Sequence, residues 1–275
     1  MSTPHPPSPA SAPDPLWRRS GWWPRRRRRA ALRPLKSKPR RIAGRADLGE
    51  WAIDYVDGPS AYWAYRSIFG GHIYDFEAPA GRPPRIIDGG ANVGVAIRYW
   101  LSRFKNPDLV AFEADPAVFG VLERNCAAWG GGVRLRREAL WCENTTLTFA
   151  PEGADAGRVA LDGSGSGRIR VPAVRLRDVL ERLKGPVDLL KLDIEGAETR
   201  VLADCRDHLG GVQRVFVEHH GYADRAQDLH TLLGTLGHAG FRYHVQPELV
   251  AARPFDHLPI DAGMDQRLNV FAVRA

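Results

Sequence analysis

The sequence predicts an open α/β fold, a doubly wound and mostly parallel seven-stranded sheet. Three observations lead there. From residue 85 onward, short apolar runs ending in an acid alternate with stretches of helical spacing. The first such run, Arg85-Ile86-Ile87-Asp88, passes through Gly89-Gly90-Ala91-Asn92-Val93-Gly94 into Val95-Ala96-Ile97-Arg98-Tyr99-Trp100-Leu101, which reads as strand, glycine turn and helix. Finally, 275 residues with 44% hydrophobic content suffice for one large α/β domain and are short for two.

The chain divides into three parts. Residues 1–45 are rich in Pro and Arg and bury too little apolar surface to offset their ordering entropy, so they are expected to be disordered. Of 39 basic and 32 acidic residues in the chain, 13 basic and one acidic (Asp14) lie in this tail. The tail therefore carries +12 and the remainder −5, and a general nucleic-acid-binding surface on the folded part is not indicated. Arginines interleaved with Trp17, Trp22 and Trp23 suit contact with RNA or an anionic membrane surface; a plain solvated tail, or an extension from a misplaced start codon, has the same composition. Residues 46–84 are expected to form a cap over the sheet. In it Trp63, Arg66, Ile68 and Phe69 lie on a helix ended by Gly70-Gly71, and His72-Ile73-Tyr74-Asp75-Phe76 alternates as a strand would.

Residues 85–275 hold the main domain. Strand one covers 85–88, with a helix near 94–104. Strand two, 109–113, precedes a helix at 116–129 that opens on Pro116. Strand three spans about 133–140. Strand four, 187–192, ends at Asp193, and strand five, 214–218, ends at His219-His220-Gly221. A helix near 224–239 and strands at 241–246 and 268–273 close the chain. Between strands three and four, Thr146–Phe149 and Arg168–Val171 read as a β-hairpin insertion joined by the glycine-rich stretch 162–167. No apolar run approaches the roughly 20 residues of a membrane span, and the charged N-terminus has no apolar segment behind it, so it is not expected to act as a secretory signal. Cys126, Cys142 and Cys205 are odd in number and widely spaced, so they suggest neither a disulfide framework nor a zinc site. Cytoplasmic location is the expectation that follows.

The turn after strand one selects the ligand. A dinucleotide fingerprint reads Gly-x-Gly-x-x-Gly directly after the strand, whereas here the order is Asp88, Gly90, Gly94. A carboxylate at that point repels a pyrophosphate and attracts an ammonium or sulfonium group. Glu113, at the tip of strand two, is placed to accept hydrogen bonds from ribose hydroxyls. Together these acids suit S-adenosylmethionine. The candidate cofactor residues are Asp88, Gly90, Asn92, Gly94, Glu113 and Asp115.

Four blocks resemble the FkbM family of S-adenosylmethionine-dependent methyltransferases: Ile86–Gly94; Ala111–Pro116; Val171–Leu180; and Leu190-Lys191-Leu192-Asp193-Ile194-Glu195-Gly196-Ala197-Glu198. The first two are shared by many methyltransferases of this class, and the fourth is more specific. The resemblance implies a Rossmann-like methyltransferase that usually methylates a hydroxyl oxygen, often on sugars or natural products. The chain departs from the family in carrying Leu176-Arg177 where Leu-Asp is usual, and in its basic tail.

An alcohol acceptor needs a destination for its proton. The candidates at the strand ends are Asp193 and Glu195 after strand four and His219 and His220 after strand five, with Lys191 on the face of Asp193. Asp193 and His219 are the favoured pair, and Lys191 and Glu195 complete the catalytic candidates. Glu198 has the plainer reading of a helix-start carboxylate. Asp193, Glu195 and a histidine together would suit Mg²⁺ or Mn²⁺; the resemblance requires no metal, and none is assigned. The leading reading is an O-methyltransferase acting on a small molecule or glycan. Against it stand an RNA methyltransferase using the basic tail, a non-catalytic binding protein of the same fold and, more distantly, a nicotinamide dehydrogenase.

Overall fold

The computed structural model describes residues 28, 30–150, 158–159 and 168–274. The tail tryptophans and the stretch 162–167 lie outside the described residues. In chain order the first elements are β1 (Gly44–Asp47), β2 (Ala52–Tyr55), α1 (Gly58–Tyr65), β3 (Arg85–Gly89), α2 (Val95–Arg103), β4 (Asp108–Phe112) and α3 (Pro116–Trp129). Next come β5 (Arg134–Arg136), β6 (Ala139–Trp141), β7 (Thr145–Ala150), β8 (Arg158–Val159), β9 (Ile169–Arg175) and α4 (Leu176–Arg182). The chain ends with β10 (Leu189–Leu192), α5 (Glu198–Asp204), β11 (Arg214–Tyr222), α6 (Leu229–His238), β12 (Phe241–Pro247) and β13 (Met264–Arg274).

Seven strands form the main sheet in the order β12-β13-β11-β10-β3-β4-β5. The run from β11 to β5 is parallel, and β13 enters antiparallel between β11 and β12. The sheet is buried on both faces, so adjacent residues of β3 are both apolar: Ile86 joins one hydrophobic layer and Ile87 the other. The first layer holds α2, α3 and the cap, with Trp100, Leu122 and Phe216 at its centre. The second holds α5, α6 and a further sheet, through Val201, Leu202, Leu232 and Leu236. That sheet has the order β6-β9-β7-β8, with β7 antiparallel to β9 and β6 parallel to it.

Strand three of the sequence reading is two strands. β5 closes the edge of the main sheet, and after Arg137-Glu138 the chain enters the second sheet as β6, whose three residues are all buried. The alternation at 72–76 makes no strand: Tyr74 and Phe76 are buried on alternate positions, without a ladder partner among the described residues. The cap instead contributes the hairpin β1–β2, in register Gly44 opposite Tyr55, and α1, capped by the Asp57 carboxylate on the Ser60 N–H. Leu32 and Leu35 are buried in the same layer although they fall in the stretch read as tail. In the cap Trp51 packs on Tyr65, Phe69 and Trp129, so these aromatics are core. Two pins fix the amino ends of the central strands. Asp188 accepts both Arg82 guanidinium nitrogens at 2.7 and 2.8 Å and the Arg85 N–H at 2.7 Å, and Arg85 Nε donates to Asp108 at 2.7 Å. At the departure from the family pattern, Arg177 pairs with Glu181 one turn on. The three cysteines are unpaired. Among the described residues no helix is long and apolar enough to cross a membrane.

Candidate active site

Connections leave β3 toward β4 and leave β10 toward β11, in opposite directions along the sheet. The crevice at their carboxyl ends is the switch point where open α/β sheets bind ligands. One wall is the glycine turn. Gly90 and Gly94 have φ of +77° and +92°, and Asn92 stands left-handed at +49° with its side-chain oxygen accepting from the Val93 N–H at 2.7 Å. A Cβ on Gly90 would lie 1.8 Å from the Asp193 carbonyl oxygen, so only glycine lets the turn meet the loop after β10. Asn125 of α3 supports the turn from behind, donating to the Val93 carbonyl at 2.8 Å and binding both backbone groups of Asp54.

Glu113 follows β4 as expected. Its two carboxylate oxygens accept the N–H groups of Asn92 and Asp115, each at 2.9 Å, and each oxygen keeps a lone pair for another donor. Burial pushes its pKa up to about 7, against those hydrogen bonds. Asp115, the last of the cofactor candidates, is buried and caps α3, its Oδ1 accepting the Ala117 and Val118 N–H groups.

Asp88 is fully buried, with its Oδ1 3.1 Å from Lys191 Nζ. The sequence reading set this carboxylate against a cationic ligand; in the structure the cation it meets is Lys191. The same ammonium donates to the carbonyls of Gly89 and Gly90 at 3.2 and 2.7 Å and lies 3.5 Å from Asp193 Oδ2. Burial works against the ammonium, but Asp88 and Asp193 outweigh it and hold the Lys191 pKa above its ordinary value. Lys191 is thus a strut beneath the turn. Tyr74 of the cap lies over it, with Nζ 6.0 Å from the ring centroid, and is wedged between Trp100 and Phe216.

The opposite wall is built on β10, β11 and the start of α5. β11 runs on through Tyr222, held by β13 with His219 opposite Leu268 and His220 opposite Arg267. Inside a strand neighbouring side chains point to opposite faces. His219 accordingly turns away from Asp193; it is buried near Asp228, 3.7 Å away, and neither ring nitrogen has a hydrogen-bond partner among the described residues. Burial lowers its pKa. The histidine that meets Asp193 is His220, which shares its face with Glu218.

His220 is buried, and its Nδ1 lies 3.1 Å from Glu198 Oε1. Glu198 itself is fixed by the Ile194 N–H at 2.9 Å and the Gly196 N–H at 3.0 Å, so it ties the 193–196 loop to β11. Burial opposes its ionisation, yet His220 and these bonds keep its pKa below the ordinary value. With one nitrogen anchored, His220 Nε2 faces Asp193 Oδ1 at 3.9 Å and Glu195 and Glu218 at 3.8 Å each. Burial disfavours the imidazolium, but Glu195 and Glu198 hold it well above the usual histidine range. Burial raises Glu195 strongly and pushes Glu218 up to about 7. Glu218 and the anchoring role of Glu198 escaped the sequence reading; the only local sign of Glu218 was its place two residues before His220.

The donor set fits S-adenosylmethionine: a glycine turn at the switch point, and beside it a half-buried carboxylate with free lone pairs for ribose hydroxyls. Comparisons agree. The solved SAM-dependent methyltransferase of Agrobacterium tumefaciens is similar over 86% of this chain and 71% of its own, at 11% identity and a TM-score of 0.46. A 31-O-demethyl-FK506 methyltransferase, FkbM of Streptomyces tacrolimicus, is 28% identical over 189 residues, covering 56% of this chain and 72% of that protein. Methyltransferase sdnD of Sordaria araneosa is 30% identical over 206 residues, covering 62% of this chain and 78% of that protein. The family model described as the methyltransferase FkbM domain matches residues 88–243, more than half of the chain. This chain belongs to the FkbM methyltransferase family, and its cofactor is S-adenosylmethionine.

Proposed function

We propose that the protein methylates a hydroxyl oxygen of a small molecule, in the range of sugars, glycans and natural-product-like metabolites. The observation that carries this reading is the buried His220 imidazole, locked by Glu198, facing Asp193 and Glu195 across the crevice from the glycine turn. When bound, S-adenosylmethionine supplies a methyl group already activated on a sulfonium. The residues of the chain then have two tasks. The turn and Glu113 hold the donor in line, and alignment of this kind is worth roughly 7–11 kcal/mol. Asp193, with His220 and Glu195 positioned around its Oδ1, gives the acceptor's proton a destination, which adds about 10²–10⁴-fold. Lys191 and Asp88 act as positioning residues beneath both.

Two further points support the acceptor class. The relative from Streptomyces is named for methylating an O-demethyl compound. Here the segment 248–263 leaves β12 and returns as β13 beside the carboxyl end of β11, since Met264 pairs with Tyr222. It exposes the apolar side chains of Val250, Phe255, Leu258 and Ile260, which suit contact with an acceptor that has a hydrocarbon part. The test is incubation with S-adenosylmethionine and a panel of hydroxylated metabolites and sugars, with products located by mass spectrometry and NMR. A methyl ether supports the proposal, and Asp193→Asn should slow its formation about 10²-fold or more. Methylation only at nitrogen or carbon would overturn it.

A further inference from the structure

We propose that Asp193, Glu195 and His220 form a binding site for one hard divalent cation, Mg²⁺ or Mn²⁺. One ligand atom from each of the three residues lies within 4.8 Å of the other two. Octahedral coordination at about 2.1–2.2 Å separates neighbouring ligand atoms by about 3 Å and opposite ones by about 4.3 Å. Separations of 3.8 and 3.9 Å from His220 Nε2 to the two carboxylates fall inside that range, and all three ligand atoms lie within 4.8 Å of one another, so side-chain adjustment alone would seat an ion. Two oxygens and one imidazole, with open positions for water or an acceptor hydroxyl, match Mn²⁺ and Mg²⁺ better than the sulfur-rich or all-imidazole sets of softer ions.

His220 is the observation that separates this cluster from a chance gathering of acids. It is buried, and its Nδ1 is committed to the Glu198 carboxylate while Nε2 points among the acids beyond hydrogen-bonding distance of each. A carboxylate behind a histidine, fixing ring orientation and the nitrogen that faces outward, is the usual outer shell of a metal-binding imidazole. The surrounding charges are compatible. Lys191 engages the far oxygen of Asp193, Oδ2, and leaves Oδ1 toward His220. Glu218 lies 3.8 Å from His220 Nε2 and 4.0 Å from Arg267 Nε, so it stands as an outer-sphere acid between the site and that cation. An ion here would replace the proton on Nε2 and sit beside the glycine turn, where it would lower the pKa of a coordinated acceptor hydroxyl. This last role rests on the proposed O-methylation; the cation site does not.

The experiment is titration of Mn²⁺ into the full chain, read by electron paramagnetic resonance and calorimetry, with S-adenosylmethionine affinity measured on the same samples. Asp193→Asn and Glu195→Gln are the variants, because both positions are partly exposed and tolerate an isosteric change. The expected result is one Mn²⁺ per chain, displaced by excess Mg²⁺, and weakened about tenfold or more in each variant while S-adenosylmethionine still binds. Wild-type protein that binds S-adenosylmethionine but takes up no Mn²⁺ at millimolar concentration would overturn the site. Mn²⁺ binding unchanged in both variants would overturn it equally. Confirmed Mn²⁺ binding in a protein that forms no methyl ether would sink the O-methylation reading and leave the cation site standing.

Discussion

Gly90→Ala should cost far more than a routine glycine replacement, because two backbones meet at that Cα. Its φ of +77° imposes about 1–2 kcal/mol on any L side chain. Gly49, with φ of +90° and nothing within 4 Å of an added Cβ, would suffer that backbone cost alone. At Gly90 the new methyl would stand 1.8 Å from the Asp193 carbonyl oxygen and 2.9 Å from its carbon, and ordinary contact begins at 3.4 Å. The 193 backbone must therefore retreat by more than 1 Å. That movement strains the Asp193 N–H bond to the Gly89 carbonyl, 3.1 Å long, and the Lys191 bond to the Gly90 carbonyl, 2.7 Å long. Buried polar groups left unpaired cost about 1–3 kcal/mol each. Gly90→Ala is thus expected to destabilise by about 3–5 kcal/mol, and Gly49→Ala by about 1–2 kcal/mol. Chemical denaturation of both variants beside the wild type gives the difference, and calorimetry of S-adenosylmethionine should show weakened binding in Gly90→Ala only. Equal destabilisation of the two, with cofactor affinity intact in both, would refute the reasoning.

Three other outcomes are expected. Glu113 has its pKa raised from 4.5 to about 7 by burial, so its ionised form costs the folded protein about 3 kcal/mol at most; that cost is absent below about pH 4.5 and complete above about pH 7. Ribose hydroxyl donors would relieve it, so S-adenosylmethionine should bind more tightly above pH 7 and release protons near neutrality, and calorimetry in buffers of different ionisation enthalpy showing no proton release would count against Glu113 as the ribose acceptor. Lys191→Met strands a fully buried Asp88 and should destabilise by about 3–5 kcal/mol, while Asp88→Asn in the same chain should restore most of it, as denaturation midpoints would show. His220→Gln should lower the methyl-transfer rate about 10²-fold or more with little change in cofactor affinity, whereas His219→Gln should alter stability and leave the rate within a few fold; the reverse pattern in single-turnover rates would return the role to His219.

The central strands and their helices were legible because their signals are local. β3, β4 and β10 are buried on both faces and carry the adjacent apolar pairs Ile86-Ile87, Leu109-Val110 and Leu189-Leu190, and α3 begins on Asp115-Pro116, a cap followed by a favoured first-turn proline. That same pair could have identified Asp115 as a helix cap. What the sequence hid was set by pairing between distant segments. His-His-Gly looks like the end of a strand, since glycine signals a turn, yet β13 pairs with β11 past that point and absorbs Gly221 at a register shift before Tyr222. Continuing the strand gives the two histidines opposite faces. Which of them reaches Asp193 is then a question of parity, fixed by the register of Glu218 on Asn269 and invisible in the local sequence.

Glu198 shows the same limit from the other side. A carboxylate at the start of a helix has an ordinary explanation in the helix dipole, and Glu198 does stand at the first residue of α5. Its oxygens, however, reach backward to the N–H groups of Ile194 and Gly196 and across to His220. The backbone it holds is unusual: Glu195 and Gly196 are both left-handed, at φ +57° and +90°. A non-glycine residue in that conformation costs energy that the surroundings must offset, and the bonds from Glu198 do so at the residue that carries Glu195 into the crevice. The spacing of acids in Asp193-Ile194-Glu195-Gly196-Ala197-Glu198 is therefore a division of labour: Asp193 and Glu195 face His220 Nε2, and Glu198 fixes both their loop and the imidazole they face.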